Sequence, residues 1–272
     1  YSNIYFAFQE KQLGTGDALR SYFNSHLDTE KCEYTIVVCA DTPVVSSQEL
    51  TEMYQVLIKN NLDAIAASFV EERPTGYGRI IRASKGFHIV EEKDATDEER
   101  QITEVNSSLY ILKTSYLLKH LKKKNNNNKS GEFYLTDVFK DDLNVLAHKF
   151  KNKKTFLGVN TLLQLEEVES ALREKIINSH RNNGVRFIDS KNVYIDSEVE
   201  IGQGTTIYPG AFLTGKTIIG SNVLIENGAI IKDSKVENDV SILAYSSVEN
   251  SHLKSNASVG PYARIRPGTV IG

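Results

Sequence analysis

From Ile195 onward an aliphatic residue returns every six positions, at Ile195, Ile201, Ile207, Leu213, Ile219, Ile225 and Ile231. With roughly a quarter of residues aliphatic, seven such hits from a given start carry a chance on the order of 10⁻⁴, so the period belongs to the fold. After a slip of one residue the phase resumes at Val236, Ile242 and Val248, and after a second at Leu253, Val259, Ile265 and Ile271. Small or β-branched residues often fill the fourth place after these, as at Thr205, Ala211, Thr217, Val223, Ala229, Val240, Ser246, Ala263 and Thr269. Glycine often follows directly, as at Gly202, Gly220, Gly260 and Gly272. One inward aliphatic per six residues suits a coil of short parallel strands around a shared axis, and the small position lets the chain turn each corner. That is a parallel β-helix of hexapeptides. A β-sandwich would instead show period two with turns every eight to twelve residues.

The chain ahead of this repeat has a different texture. Tyr34 to Val45 reads as an aliphatic strand, with Ile36, Val37 and Val38 expected to be buried on both faces, as in a parallel sheet. It stops at Asp41, because Thr42 and Pro43 follow and proline cannot donate to a ladder. Ligands bind at that end of open α/β sheets, and a carboxylate there suits a hard cation carrying phosphate oxygens. Taken alone, the segment fits an Asp that merely caps the turn better still. Ser46 or Ser47 caps a helix to about Asn60, with Leu50, Met53, Tyr54, Leu57 and Ile58 on one face, and Leu62 to Val70 is a further buried strand. This alternation predicts a Rossmann-like, mostly parallel sheet with crossovers.

Other segments complete the α/β part. Ser2 to Gln9 reads as a strand, and Gly14, Thr15 and Gly16 precede a helical pattern from Asp17, where backbone N–H groups could meet a ligand or simply form a turn. No Gly-Lys-Ser/Thr follows, so this is not a P-loop. Arg73 to Arg82 and Gly86 to Ala95 read as a hairpin, with Gly76 and Gly78 flanking Tyr77 and Glu91 on the facing run. Those glycines suit either close approach of a ligand or a bulge. Glu104 to Leu112 is a strand with Asn106 near its start, and Leu117 to Lys123 a short helix. Gly131 to Asp137 is expected to open a helix through about Lys149, and Thr155 to Val159 to form a last strand with Asn160 at its end. Thr161 to His180 is helical and stops at Asn182-Asn183-Gly184, which makes it a linker between the two textures. The organisation expected is therefore 1–160, a linker helix at 161–184, and the β-helix at 185–272.

Composition narrows the function classes. At 40% hydrophobic and 25% charged the chain is ordinary for a globular protein, which sets aside disorder and membrane insertion. A net charge of -3 offers no basic field for nucleic acid, and the one basic run, Lys119 to Lys124, dissolves into asparagines. Cys32 and Cys39 have no metal spacing, and no secretory leader is visible, so a reducing, cytoplasmic setting is expected. The six histidines form no cluster, and His252 reads as a surface rung of the repeat. The start at Tyr1, the single Met53 and the end at Gly272 within a repeat suggest that both ends are incomplete.

An α/β domain, a linker helix and a hexapeptide β-helix in that order resemble the bacterial bifunctional N-acetylglucosamine-1-phosphate uridyltransferase/glucosamine-1-phosphate acetyltransferases. The motifs run along nearly the whole chain: Gln12 to Gly16, Ala40 to Pro43, Thr75 to Ile80, Val90 to Glu98, Gly131 to Asp137, Gly158 to Asn160 and Gly260 to Gly268. The resemblance implies a nucleotidyltransferase domain and a left-handed β-helix. It implies that Gln9, Gly14 and Thr15 hold the uracil and ribose, that Gly78, Glu91 and Asn106 hold N-acetylglucosamine, and that Asp41 and Asn160 bind Mg²⁺. It implies UTP and N-acetylglucosamine 1-phosphate as substrates, acetyl-CoA and glucosamine 1-phosphate as those of a second site to which Arg266 belongs, and a homotrimer. Two glycines of the family pattern are replaced here, by Ala40 and Ser108. The family's amino-terminal glycine-rich segment with its Arg and Lys is absent, as are the later coils, so the chain resembles the middle of such an enzyme and is expected to be inactive alone. A nucleotidyltransferase for another sugar 1-phosphate and a non-catalytic trimeric scaffold are the competing readings.

Overall fold

The computed structural model describes residues 4–26, 31–122, 126–140, 144–159 and 161–272. Two compact units are separated within one helix, residues 1–168 and residues 169–272.

In the first unit a six-stranded sheet is built from β1 (Tyr34–Val37), β2 (Ala64–Val70), β3 (Arg79–Arg82), β4 (Phe87–Val90), β5 (Glu104–Lys113) and β6 (Val145–Lys149). β5 lies between β1 and β2 and runs antiparallel to both, and the β3–β4 hairpin is also antiparallel. Within this sheet only β2 with β6 is a parallel pair among the described residues. The sheet is therefore mixed rather than mostly parallel. β1, β2 and β6 do share one direction, as the strand and helix alternation predicts, but the inserted β5 reverses the pairings, and hydrophobic periodicity carries no information on direction.

Both faces of this sheet are covered. α2 (Ser47–Lys59) starts with the Ser46 N–H donating to Glu49 Oε2 at 2.9 Å, which satisfies a donor otherwise left unpaired at the helix start. It buries Met53 and Leu57 against Ile65, Ala67, Phe69 and Ile111, while Tyr54 and Ile58 face outward. On the opposite face α1 (Thr15–Ser25) and α4 (Thr114–Leu121), with a 3₁₀ turn at Leu135–Phe139, enclose Phe23, Leu117, Val138 and Phe139 over Ala64, Ala66 and Leu112. Each of the larger buried side chains, Leu, Val or Phe, contributes about 1.5–3 kcal/mol.

Several expected elements differ. No strand forms at residues 4–9. The helix expected through Lys149 is instead the short 3₁₀ turn followed by strand β6, because Val145–Lys149 gains a parallel ladder with β2 and buries Val145 and Ala147; a short apolar run does not by itself choose between helix and strand. Thr155 to Val159 is not a strand but a 3₁₀ turn at Lys153–Phe156 and an extended connection, with Phe156 stacked on Phe69. Ile36 and Val38, expected to be covered, are 52% and 51% exposed, since β1 has β5 as its one neighbour among the described residues.

α5 (Leu162–Asn182) leads into the second unit, where Ile177 joins the core at the base of the coils. Fifteen short strands, from Arg186–Phe187 to Val270–Ile271, form three parallel sheets of five, the arrangement of a left-handed β-helix. Each sheet stacks one inward residue on the next: Phe187, Ile207, Ile225, Ile242 and Val259; Ile195, Leu213, Ile231, Val248 and Ile265; Ile201, Ile219, Val236, Leu253 and Ile271. The small places at Thr205, Ala211, Thr217, Ala229 and Ser246 are fully buried at the corners. Both slips of the repeat fall at the corner between the second and third sheets, where the turn is one residue shorter and Asp233 and Asn250 take left-handed conformations (φ 46 and 45), as Gly215 (φ 65) does at the unshortened corner of the preceding coil. Short polar side chains tolerate that conformation.

Candidate functional site

The first unit contains a cavity of about 490 Å³ between the start of α1, the hairpin and the 3₁₀ turn. Thr15, Glu91 and Asn106 all line it. Gly78 stands against them: a β-carbon there would lie 3.3 Å from Glu91 Oε2, 3.6 Å from the Asn106 β-carbon and 3.0 Å from Ile89. Three residues separated along the chain thus converge, and a side chain at position 78 would push into the space between them.

Each is held from behind. Thr136 donates to Glu91 Oε1 at 2.8 Å. Burial pushes the Glu91 carboxyl above its ordinary value, and the negative charges of Asp94, Asp137 and Glu132 add to this, against the Thr136 hydrogen bond. The Gly76–Gly78 segment is fixed by Arg79, 1% exposed, which pairs with Glu92 at 2.8 Å and also donates to the carbonyls of Tyr77 and Arg100. Glu92 in turn accepts from the Gly76 N–H at 3.2 Å. Arg79 and Thr136 lie inside the motifs quoted above, but a positive residue within an apolar strand and a threonine in a turn gave no role of their own.

At the other rim, Gly14 (φ 110) places its α-carbon so near Phe133 that an added β-carbon would come within 2.6 Å of that carbonyl, a conformation and a packing that only glycine accepts. The Gly16 N–H donates to the Phe133 carbonyl at 2.8 Å, and the Thr15 hydroxyl accepts from the Leu135 N–H at 3.0 Å. Gln9 donates to the Gly14 carbonyl at 3.2 Å and to Asp17 Oδ2 at 2.9 Å, and is not among the residues that line the cavity.

Asp41 sits in the turn after β1, two residues beyond Cys39, which lines the cavity. Its carboxylate is exposed and carries no hydrogen bond or ion pair among the described residues. Its carbonyl accepts from the Val159 N–H at 3.0 Å, and a β-carbon on Gly158 would be 3.6 Å from Oδ2. Asn160 lies outside the described residues, and the chain just before it runs along Asp41. An anionic oxygen donor open to solvent beside a glycine suits a hard cation such as Mg²⁺. Arg266 is in the second unit, on an exposed turn of the last coil, where its carbonyl accepts from the Ser251 hydroxyl at 2.8 Å.

Residues 2–160 match the nucleotidyl transferase family, which is more than half of the chain. The chain belongs to the nucleotidyl transferase family. Residues 190–272 match the GMPPB C-terminal domain, so the family's domain is followed here by a second matched one. Among curated proteins the chain is 39% identical over 278 residues to the bifunctional protein GlmU of Clostridioides difficile, covering 99% of this chain and 59% of that protein. It is 40% identical over 273 residues to GlmU of Thermoanaerobacter pseudethanolicus, with coverage of 98% and 59%. The chain therefore spans about three fifths of the length of these relatives. A solved structure from Entamoeba histolytica, assigned as a UDP-N-acetylglucosamine pyrophosphorylase, aligns with a TM-score of 0.57 at 15% identity over 76% of this chain and 66% of that one. At that identity the likeness concerns the fold alone. The cavity lies wholly within the part that matches the family.

Proposed function

We propose that the protein catalyses uridylyl transfer from UTP to N-acetylglucosamine 1-phosphate, and that a second site in its β-helix transfers acetyl from acetyl-CoA to glucosamine 1-phosphate. The convergence of Glu91 and Asn106 on one cavity, with Gly78 packed against both, carries the first part. Their carboxylate, amide and backbone groups suit the hydroxyls and acetamido group of a sugar. Gln9, Gly14 and Thr15 hold the uracil and ribose, and Asp41 with Asn160 holds Mg²⁺, which when bound neutralises phosphate charge. A phosphate oxygen of the sugar phosphate forms a bond to the α-phosphorus, the bond from that phosphorus to the β-bridging oxygen breaks, and pyrophosphate leaves. Such a displacement leaves the protein chiefly the tasks of positioning and electrostatic stabilisation. Arg266 belongs to the acetyl-transfer site, and the setting is cytoplasmic; among the described residues no helix is long and apolar enough to cross a membrane.

Turnover of the intact protein with N-acetylglucosamine 1-phosphate against glucose 1-phosphate tests the reading. A site built to hydrogen-bond the acetamido group leaves polar atoms unpaired around a plain hydroxyl, at a cost of about 1–3 kcal/mol. The expected preference in kcat/KM is therefore about 5- to 150-fold for the acetamido sugar, and equal turnover would refute the assignment.

The same reading includes a homotrimer assembled through the β-helix. In support, Tyr194, Phe212 and Ile230 stack in register on one outer sheet face and remain 41%, 47% and 47% exposed. Burying such a column on association is favourable. Sedimentation of the intact protein over a hundredfold range of concentration is expected to show a trimer; a monomer throughout would reject it.

A further inference from the structure

Strand β5 is irregular where it borders the cavity. Ala66 pairs with Tyr110 and Ser68 with Asn106, so between these pairs β2 uses one residue, Ala67, where β5 uses Ser107, Ser108 and Leu109. The two extra residues form a bulge, tied down where the Ser107 hydroxyl donates to the Ala67 carbonyl at 2.9 Å. Ser108 at its apex has φ 60, a left-handed value uncommon for a residue with a β-carbon. In a regular strand Asn106 and Tyr110 would stand about 13 Å apart, but with the bulge they sit opposite partners only two residues, about 7 Å, apart. Their side chains now meet: Asn106 Nδ2 donates to the Tyr110 hydroxyl at 2.7 Å, with both residues buried.

The bulge also supplies the second anchor. The Ser108 N–H turns back and donates to Asn106 Oδ1 at 3.2 Å. Only the carbonyl oxygen of the amide can face a backbone N–H, so this contact fixes which way the amide lies, and Tyr110 then takes one of its two N–H groups. One N–H and one oxygen lone pair of Asn106 remain for a ligand. Tyr110, Ser108 and Cys39 line the same cavity, and burial keeps the phenol in its neutral form, able to accept from the amide.

Resting on the reading above, we propose that Tyr110 is a positioning residue, which together with the bulge at residues 107–109 holds the Asn106 amide in the single orientation that recognises the sugar. Tyr110 acts through Asn106, to which it is hydrogen-bonded. In the intact protein Tyr110→Phe, which keeps the ring and loses the hydroxyl, is expected to raise KM for N-acetylglucosamine 1-phosphate about tenfold, the effect of one hydrogen bond. KM for UTP and kcat are expected to stay within about twofold. Asn106→Ala should raise the sugar KM at least as far, and the double variant should be no worse than Asn106→Ala alone.

A sugar KM unmoved by Tyr110→Phe but raised by Asn106→Ala overturns the positioning role and spares the proposed sugar site. A sugar KM unmoved by Asn106→Ala overturns that site and the positioning role with it. Additive effects in the double variant, or equal rises in both KM values, assign Tyr110 to general packing. Should Tyr110→Phe fail to fold, side-chain amide NMR of the unaltered protein decides: a resolved Asn106 pair with one slowly exchanging proton is expected, and two rapidly exchanging protons contradict it.

Discussion

Asp41→Asn in the intact protein is expected to lower uridylyl transfer at limiting Mg²⁺ by roughly 10²-fold or more, the scale on which removal of one electrostatic stabiliser acts. The substitution keeps the shape of the side chain and removes its charge. The fold has little reason to respond, since the carboxylate is exposed and the one described contact of Asp41 with the chain before Asn160 is through its carbonyl, which asparagine retains. Raising Mg²⁺ should recover part of the rate, because a weakened site fills again by mass action. A variant as fast as the parent at low Mg²⁺ would show that the cation, if required, is held elsewhere.

Arg79→Ala has the largest expected effect on stability. Arg79 is 1% exposed, and its guanidinium meets Glu92 at 2.8 Å together with the carbonyls of Tyr77 and Arg100. Removing one partner of a buried pair costs about 3–5 kcal/mol where the other is left uncompensated, and here Glu92 keeps the Gly76 N–H and Arg100 at 3.9 Å. Glu92 keeps 28% of its side-chain exposure and can recover some hydration, which places the expectation toward the lower figure. For a unit of this size that corresponds to a fall in the unfolding midpoint of about 6–12 °C. The same change frees the Gly76–Gly78 segment, so the KM for the sugar phosphate should rise with it. A midpoint within about 2 °C of the parent would mean that the pair contributes nothing net, as isosteric replacement of some buried pairs has shown.

How much of this was legible in the sequence depends on which physical constraint wrote it there. The β-helix is legible because every coil needs one inward residue per hexapeptide, and even the two slips mark a real corner, with Asp233 and Asn250 in left-handed conformations. The turn at Asp41 and the glycines at Gly14 and Gly78 are legible because a turn or a close approach restricts residue type, although the strand expected to run to Asp41 ends at Val37. Strand direction is not: nothing in the residues of β5 says that it runs against its neighbours. Val145–Lys149 was misread since a short apolar run fits a helix as well as a strand, and its parallel partner β2 decides. The bulge beside Asn106 escaped for a similar reason. Its apex is Ser108, not a glycine, and the pairing that reveals it spans residues 66 to 110.

The central claim, that this cavity holds the N-acetylglucosamine portion of the substrate, is tested most directly by a crystal structure of the intact protein with UDP-N-acetylglucosamine bound. The account predicts the acetamido sugar between Gly78, Glu91 and Asn106, with polar atoms at about 2.7–3.2 Å from the free N–H of Asn106 and from the Glu91 carboxylate. A sugar bound outside the cavity, with neither Asn106 nor Glu91 in hydrogen-bonding reach, would contradict it.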